Sequence, residues 1–516
     1  MNRKSSLSQA EHCKKIIAVC FSAALVLSLL PLVWIGIYNY PCYDDFSFGT
    51  PMRSFFLMSG SFFKTLAYGV AYTINLTFDG VPGFPGFLNV FPPDIWQSAL
   101  PFNANILTPV IMLSVFIAGN AILLRNVFRF LIPLQSRSAK IIFLCSVLFV
   151  SINFVPSPCE AFYWYIGASV YTLRYAFFMI LCASLIKVRN VRWRGSMRYL
   201  QAALIFVSSA FLGFWQYLVP GFIIALGFLA LVAYNVVRKK ERFTVFNIGC
   251  VLYVVGFAGL VIDVMNDRLI LGGGPALPAL SAIFRSLLFV AMFIGRWLTN
   301  VPFLMLMLVC LSIIYPAIKK STFSFHAPYL VTFASYCALA AANTPVVYAN
   351  GGRGSGRTMN ICYWLFIFAF LLNAAYWLGW LLKNTSLDRA VSSFAIGKTH
   401  RVIAAAMLCC TFALSLFSLD HFDLFDQNRS LEIDSRVACV SAAWSLVNGQ
   451  AQSYAAEREE RLEVLLDPHR EDVQFSPIQN RPWMIFYTDL DFGDVASYYG
   501  KSSVSVTPGA SAIPDV

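Results

Sequence analysis

Two adjacent carboxylates, Asp44 and Asp45, stand in the stretch Pro41-Cys42-Tyr43-Asp44-Asp45-Phe46-Ser47-Phe48-Gly49, directly after the first long apolar segment. Like charges on neighbouring residues repel, and a carboxylate at a low-dielectric surface keeps its proton unless a cation, a metal or a basic substrate answers it. Such a pair suits general-base chemistry or metal binding. It could also simply end a helix in solvent, but acids are scarce here: only ten of the 26 Asp and Glu precede residue 420. Asp45 is the expected base, by a narrow margin over Asp44, since adjacent residues point in different directions.

Three further stretches carry residues that do more than solvate. Cys159-Glu160-Ala161-Phe162-Tyr163-Trp164-Tyr165-Ile166-Gly167 sets Glu160 against aromatic rings, so that Trp164 and Tyr165 would stack on the apolar face of a sugar or seat at a membrane interface. Asn266-Asp267-Arg268, with Gly272-Gly273-Gly274-Pro275 behind it, reads as a polar turn between apolar segments. Gly351-Gly352-Arg353-Gly354-Ser355-Gly356-Arg357 opens a span beginning near Thr358, bringing flexible backbone and two guanidiniums to a helix N-terminus, which favours anions. That loop is the strongest phosphate candidate, with Arg174 and Arg268 as further cations.

The elements that hold these residues are set by composition. Hydrophobic residues make up 58% of the 516 and charged residues 12%. Apolar runs recur near the ~20 residues that cross a bilayer. The chain is therefore expected to be an all-α polytopic membrane protein. A net charge of +12 would suggest nucleic acid in a soluble chain, but the basic residues fall in short blocks between apolar runs, as the positive-inside rule requires, and nucleic-acid binding is set aside. Spans are predicted near 16–37, 104–124, 141–155, 172–186, 199–214, 219–237, 245–262, 300–318, 327–343, 358–382 and 402–418, with 277–298 ambiguous. Eleven spans put the N-terminus in the cytoplasm and the 38–103 loop and the C-terminus outside.

The predicted organisation is a membrane domain over 1–419 and a small soluble α/β domain over 420–516, where sixteen acids face seven basic residues. In that tail 430–466 has helical periodicity, while 483–487 and 502–506 read as short strands. External basic residues, Arg53, Lys64, Arg174, Arg268, Arg285, Arg296, Arg353 and Arg357, run against the positive-inside bias and call for a local reason. A phosphorylated lipid supplies one, because guanidinium binds phosphate through paired hydrogen bonds.

Other chemistries lack their residues. None of the five His falls in an external loop of the membrane part, no Gly-x-x-x-x-Gly-Lys motif occurs, and the thirteen Cys show no metal spacing. Cys42 and Cys159 flank the two acidic stretches, as a disulfide or, more readily, as thiols.

On Tyr43-Asp44-Asp45-Phe46-Ser47, Glu160 to Ala168, Asn266-Asp267-Arg268 and Ala496-Ser497-Tyr498-Tyr499-Gly500, the chain resembles bacterial multi-spanning glycosyltransferases of the GT-C type, relatives of the serotype-converting O-antigen glucosyltransferases. The resemblance covers nearly the whole chain; Met265-Asn266 and Trp215-Gln216 depart from the family pattern. It implies a catalytic carboxylate in the first external loop and a polyprenyl-phosphate sugar donor. The implied acceptor is a lipid-linked or cell-envelope glycan such as O-antigen or lipopolysaccharide, at the periplasmic face of a bacterial inner membrane. Asp44 or Asp45 would take the acceptor's proton with inversion at the anomeric carbon, while Arg353, Arg357, Arg268 or Arg174 would meet the leaving phosphate, with no metal or other cofactor required. A flippase or transporter for lipid-linked glycan would instead show ionisable residues inside its spans and two related halves. An O-antigen polymerase or ligase would lean on basic residues in a late external loop.

Overall fold

The computed structural model describes residues 2–78, 104–190, 205, 218–239, 244–270, 277–386, 407, 437–487 and 492–507. Its helices are α1 Asn2–Ile35, α2 Asp44–Ser59, α3 Phe62–Phe78, α4 Leu107–Phe130, α5 Arg137–Asn153, α6 Tyr165–Asn190, α7 Leu218–Lys239 and α8 Val245–Ile270. These are followed by α9 Ala279–Leu298, α10 Val301–Lys320, α11 Pro328–Asn350, α12 Gly356–Asn384, α13 Ala438–Val447, α14 Gln450–Leu466 and α15 Phe492–Tyr499. One parallel sheet pairs β1, Asp472–Phe475, with β2, Ser503–Val506, in register Asp472↔Ser503 to Phe475↔Val506.

Among the described residues seven helices are long and apolar enough to cross a membrane: Glu11–Tyr38, Ala104–Phe130, Tyr165–Asn190, Ala279–Leu298, Val301–Lys320, Pro328–Ala349 and Gly356–Asn384. The chain is thus a membrane protein by composition and length, but the expected eleven spans are not reproduced. The stretch expected at 141–155 is α5, only 17 residues long and buried along most of its length. The stretch left ambiguous, 277–298, is the continuous helix α9, parted from α10 at Asn300, whose side chain caps α10 by accepting from Phe303 N at 2.9 Å. The expected spans 199–214 and 402–418 lie outside the described residues except at 205 and 407.

The chain divides into two compact units. The first comprises Met1–Ser28, Ile117–Pro156 and Tyr175–Val437. Its helices approach closely where side chains are small: a Cβ on Gly119 would lie 2.8 Å from the Ala176 carbonyl oxygen, joining α4 to α6 at backbone distance. Polar groups inside it are answered by backbone carbonyls, Trp364 Nε1 donating to Ser151 O at 2.9 Å and Tyr363 Oη to Val150 O at 3.3 Å, which locks α12 against α5.

The second unit comprises Leu29–Phe116, Ser157–Arg174 and Ala438–Val516. The residues after 437 thus group with the segments that carry the acid pair and the aromatic run, rather than by themselves. Within 430–466, where helical periodicity is expected, the described residues form α13 and α14, with a turn at Gly449 (φ 82°) between them. β2 falls where a strand is expected, whereas 483–487 is a turn held by Ile485 N donating to Pro482 O at 3.0 Å. Met484, Ile485 and Tyr487 are buried, as expected of a short buried strand, but burial of so short an apolar run does not distinguish a strand from a compact turn.

Candidate functional site

The second unit is assembled around the residues that precede α2. Asn39 is buried and its Nδ2 donates to Tyr163 O at 2.8 Å and to Asn105 O at 3.3 Å, while Tyr163 Oη donates to Leu32 O at 2.7 Å. These bonds tie the end of α1 to the turn Cys159–Tyr163 and to the start of α4. Gly36 belongs to the same junction, since a Cβ there would meet Pro109 Cγ at 2.6 Å. The chain then reaches Tyr43, whose φ of 52° and ψ of −128° are unusual for a side-chain-bearing residue, a conformation that costs on the order of 1–3 kcal/mol and persists only when its neighbours impose it.

Asp45 is one of those neighbours. Only 2% exposed, it accepts from Cys42 N through Oδ2 and from Ile166 N through Oδ1, both at 3.1 Å. The first bond ties the first turn of α2 back to Cys42, the residue before its N-cap, Tyr43; the second caps α6 from a residue 121 positions away. A carboxylate between two helix N-termini is stabilised as the anion by both dipoles. Asp44, the first residue of α2, is half-buried. The two aspartates are therefore not equivalent: Asp45 is built into the scaffold, whereas Asp44 stands at the first position of α2.

Glu160 is buried and accepts from Ser157 Oγ at 3.2 Å. Cys42 and Cys159 are both free thiols. Burial, with Asp45 nearby, pushes the Cys42 thiol up, and burial beside Glu160 takes Cys159 to about 11. The aromatic run does not present an open surface for a sugar. Trp164 is 2% exposed, stacks on Phe486 at 4.5 Å and meets the edge of Tyr43 at 5.7 Å. Tyr165 is buried at the start of α6, and Arg174 is buried further along that helix rather than in an external loop. The run reads as interfacial because it is aromatic; it is buried because the C-terminal segment covers it.

Gly167 shows how close that packing is. A Cβ there would lie 2.2 Å from Trp164 Cε3 and could be fitted only by moving a ring already stacked on Phe486. Gly167→Ala is expected to lower stability by roughly 1–3 kcal/mol, the usual cost of overpacking. A thermal midpoint in detergent equal to wild type would contradict it.

The C-terminal segment closes over the acid pair through the 496–500 motif and Arg53, and through Arg458, Glu459 and Arg461, which sequence reasoning did not single out. Phe46 packs on Tyr498 at 5.3 Å and on Tyr499 at 6.1 Å. Arg53 Nη1 donates to Tyr498 O at 2.6 Å with its guanidinium over both tyrosine rings. Arg458 Nη2 donates to Pro41 O at 2.9 Å, and Tyr40 Oη donates to Glu459 Oε1 at 3.2 Å. Arg461, 8% exposed, donates to Tyr487 Oη and Ser476 O. Segments 43–47, 160–168 and 496–500, far apart in sequence, thus meet within one unit.

The remaining candidates belong to the first unit. Asn266 and Arg268 fall within α8, which continues as helix to Ile270 instead of turning there; their side chains lie outside the described residues. Arg353 and Arg357 are half-buried. The loop between α11 and α12 begins at Gly351 (φ 72°) and passes through Gly354 (φ 93°), where a side chain would meet Val346 Cγ1 and Thr358 Oγ1 at 2.7 Å. Arg285, on α9, donates to Gly351 O at 3.3 Å and so brings a third guanidinium to this loop. Compared with protein-family models, with curated proteins and with solved structures, the chain matches none of them.

Proposed function

We propose that the chain is a membrane glycosyltransferase of the GT-C type. It would move a hexose such as glucose from a polyprenyl-phosphate donor to a lipid-linked or cell-envelope glycan at the periplasmic face of a bacterial inner membrane. The observation that supports this reading is the construction of the second unit around Asp44 and Asp45. One carboxylate pins two helix N-termini, and the other stands beside it at the first position of α2. A site for general-base chemistry needs a carboxylate held to a fraction of an ångström, and Asp45 supplies the support that holds Asp44. Asp44 takes the proton of the acceptor hydroxyl as its oxygen attacks the anomeric carbon. The bond from that carbon to phosphate oxygen breaks, and polyprenyl phosphate leaves with the electron pair.

Donor phosphate is assigned to Arg353 and Arg357, because planar guanidiniums on a glycine-rich loop at a helix start suit a phosphate's oxygens. The experiment incubates membranes that contain or lack the protein with radiolabelled polyprenyl-phosphate sugars and follows label into endogenous glycan. Transfer is expected only where the protein is present; equal transfer in both membranes would dispose of the reading. In the same assay Arg357→Ala, and to a lesser degree Arg353→Ala, is expected to raise the donor KM roughly 10-fold or more, the loss of one hydrogen bond to a charged group, at normal protein levels. Lys at either position restores part of it. Wild-type donor use by both alanine variants would dispose of the loop as the phosphate-binding element.

A further inference from the structure

Arg458 and Asp45 bind opposite ends of the same peptide group. Arg458 Nη2 donates to Pro41 O at 2.9 Å, and the N–H of that same amide, carried by Cys42, donates to Asp45 Oδ2 at 3.1 Å. The other oxygen of Asp45 then accepts from Ile166 N at the start of α6. Guanidinium, amide, carboxylate and helix N-terminus form one continuous line of hydrogen bonds from the C-terminal segment to α6.

An amide polarised at its carbonyl by a cation is a better donor at its N–H, so each bond in such a line strengthens the next. Arg458 is itself held in place, with its guanidinium 4.9 Å from the centre of the Tyr487 ring and 5.4 Å from that of Tyr40. The amide it grips lies immediately before Tyr43, the residue with positive φ, and two residues before Asp44. A hold on that amide from both ends is what an unfavourable backbone conformation at Tyr43 needs.

We infer that Arg458 is a positioning residue for the acid pair. Acting through the Pro41–Cys42 amide and Asp45, it makes the C-terminal segment a working part of the site rather than an appendage. Its meaning for turnover rests on the transfer reading above; the coupling of Arg458 to Asp45 does not.

The test is a double-variant cycle read at Cys42, which is 3% exposed and lies in the line itself. Intact protein in membranes is treated with N-ethylmaleimide, and the modification rate of Cys42 is followed by mass spectrometry for wild type, Arg458→Gln, Asp45→Asn and the double variant. Because a buried thiol reacts only when its surroundings open, the rate reports local opening. Each single variant is expected to raise the rate about tenfold or more, as the loss of a hydrogen bond to a charged group would. The double variant should stay close to the larger single effect, because both changes break the same line.

Cys439, on α13, is the control and should be unaffected. Rates in the double variant equal to the product of the single effects, an unchanged rate in Arg458→Gln, or a parallel rise at Cys439 would each overturn the inference. Arg458→Lys keeps a cation over the rings and supplies the same cycle if the Gln variant does not reach the membrane; by itself it should protect Cys42 better than Gln does. Transfer measured alongside should fall in Arg458→Gln and recover in part in Arg458→Lys. Coupled labelling in a protein that transfers no sugar would leave the relay standing and dispose of the transfer reading alone.

Discussion

Asp44→Asn is expected to lower sugar transfer at least about 100-fold, the lower end of what the loss of a general base removes, while the protein accumulates and melts as wild type. Asn is nearly isosteric with Asp and keeps one acceptor oxygen, so the packing at the start of α2 is preserved; it has no basicity to offer an acceptor hydroxyl. Asp44 occupies the first turn of a helix, where the dipole favours the ionised form that a base must have. Glu at 44 restores the charge but extends the arm by about an ångström, and near-attack geometry tolerates little of that, so it should stay largely inactive. Full transfer by Asp44→Asn, or by the Asp44→Asn, Asp45→Asn pair at normal membrane levels, would sink the mechanism and bring the flippase reading forward.

Asp45→Asn is expected to fail differently, through local loosening at the starts of α2 and α6 in a protein that still folds. Two N–H groups converge on this carboxylate, one per oxygen, and an amide has only one oxygen to give them. One donor is then left facing an NH2 group in a site 2% exposed, at a cost of about 1–3 kcal/mol. Removal of an anion from two helix N-termini adds roughly 0.3–1 kcal/mol for each. The variant should reach the membrane with a lowered thermal midpoint in detergent, and transfer should fall as the start of α2 loosens. A midpoint equal to wild type would mean that Asp45 does not pin the two helices. The contrast between neighbours, chemistry lost at 44 and structure loosened at 45, is the sharpest expectation the geometry supplies.

Much of the molecule was legible from one dimension. Bilayer-length apolar runs need no partner to be recognised, because transfer of about 20 apolar residues is favourable whatever they later touch. Among the described residues, six of the seven helices long enough to cross fall on predicted spans, and the seventh, α9, is ambiguous in sequence because Arg285 and Arg296 interrupt its apolar character. β2 was readable from its Val-Ser alternation. Its partner β1 was not: Asp472 to Phe475 carries only two buried side chains, and a parallel pair is joined through a crossover, here α15, that leaves no turn signature between the strands.

What the sequence by itself determined is the inventory: a membrane chain, an acid pair after the first span, an aromatic run near 160 and arginines in a glycine-rich loop. The tertiary structure decided which of these face outward and which hold the others in place. Composition cannot distinguish a Trp that stacks on a ligand from one that stacks on Phe486, because the same ring burial drives both. Nor can it separate Asp44 from Asp45, since what divides them is an N–H on residue 166 and a guanidinium on residue 458 that grips the amide between. Apolar periodicity is local and additive, so it survives in the sequence; a hydrogen bond is directional and here spans hundreds of residues, so its partner exists only once the chain has folded.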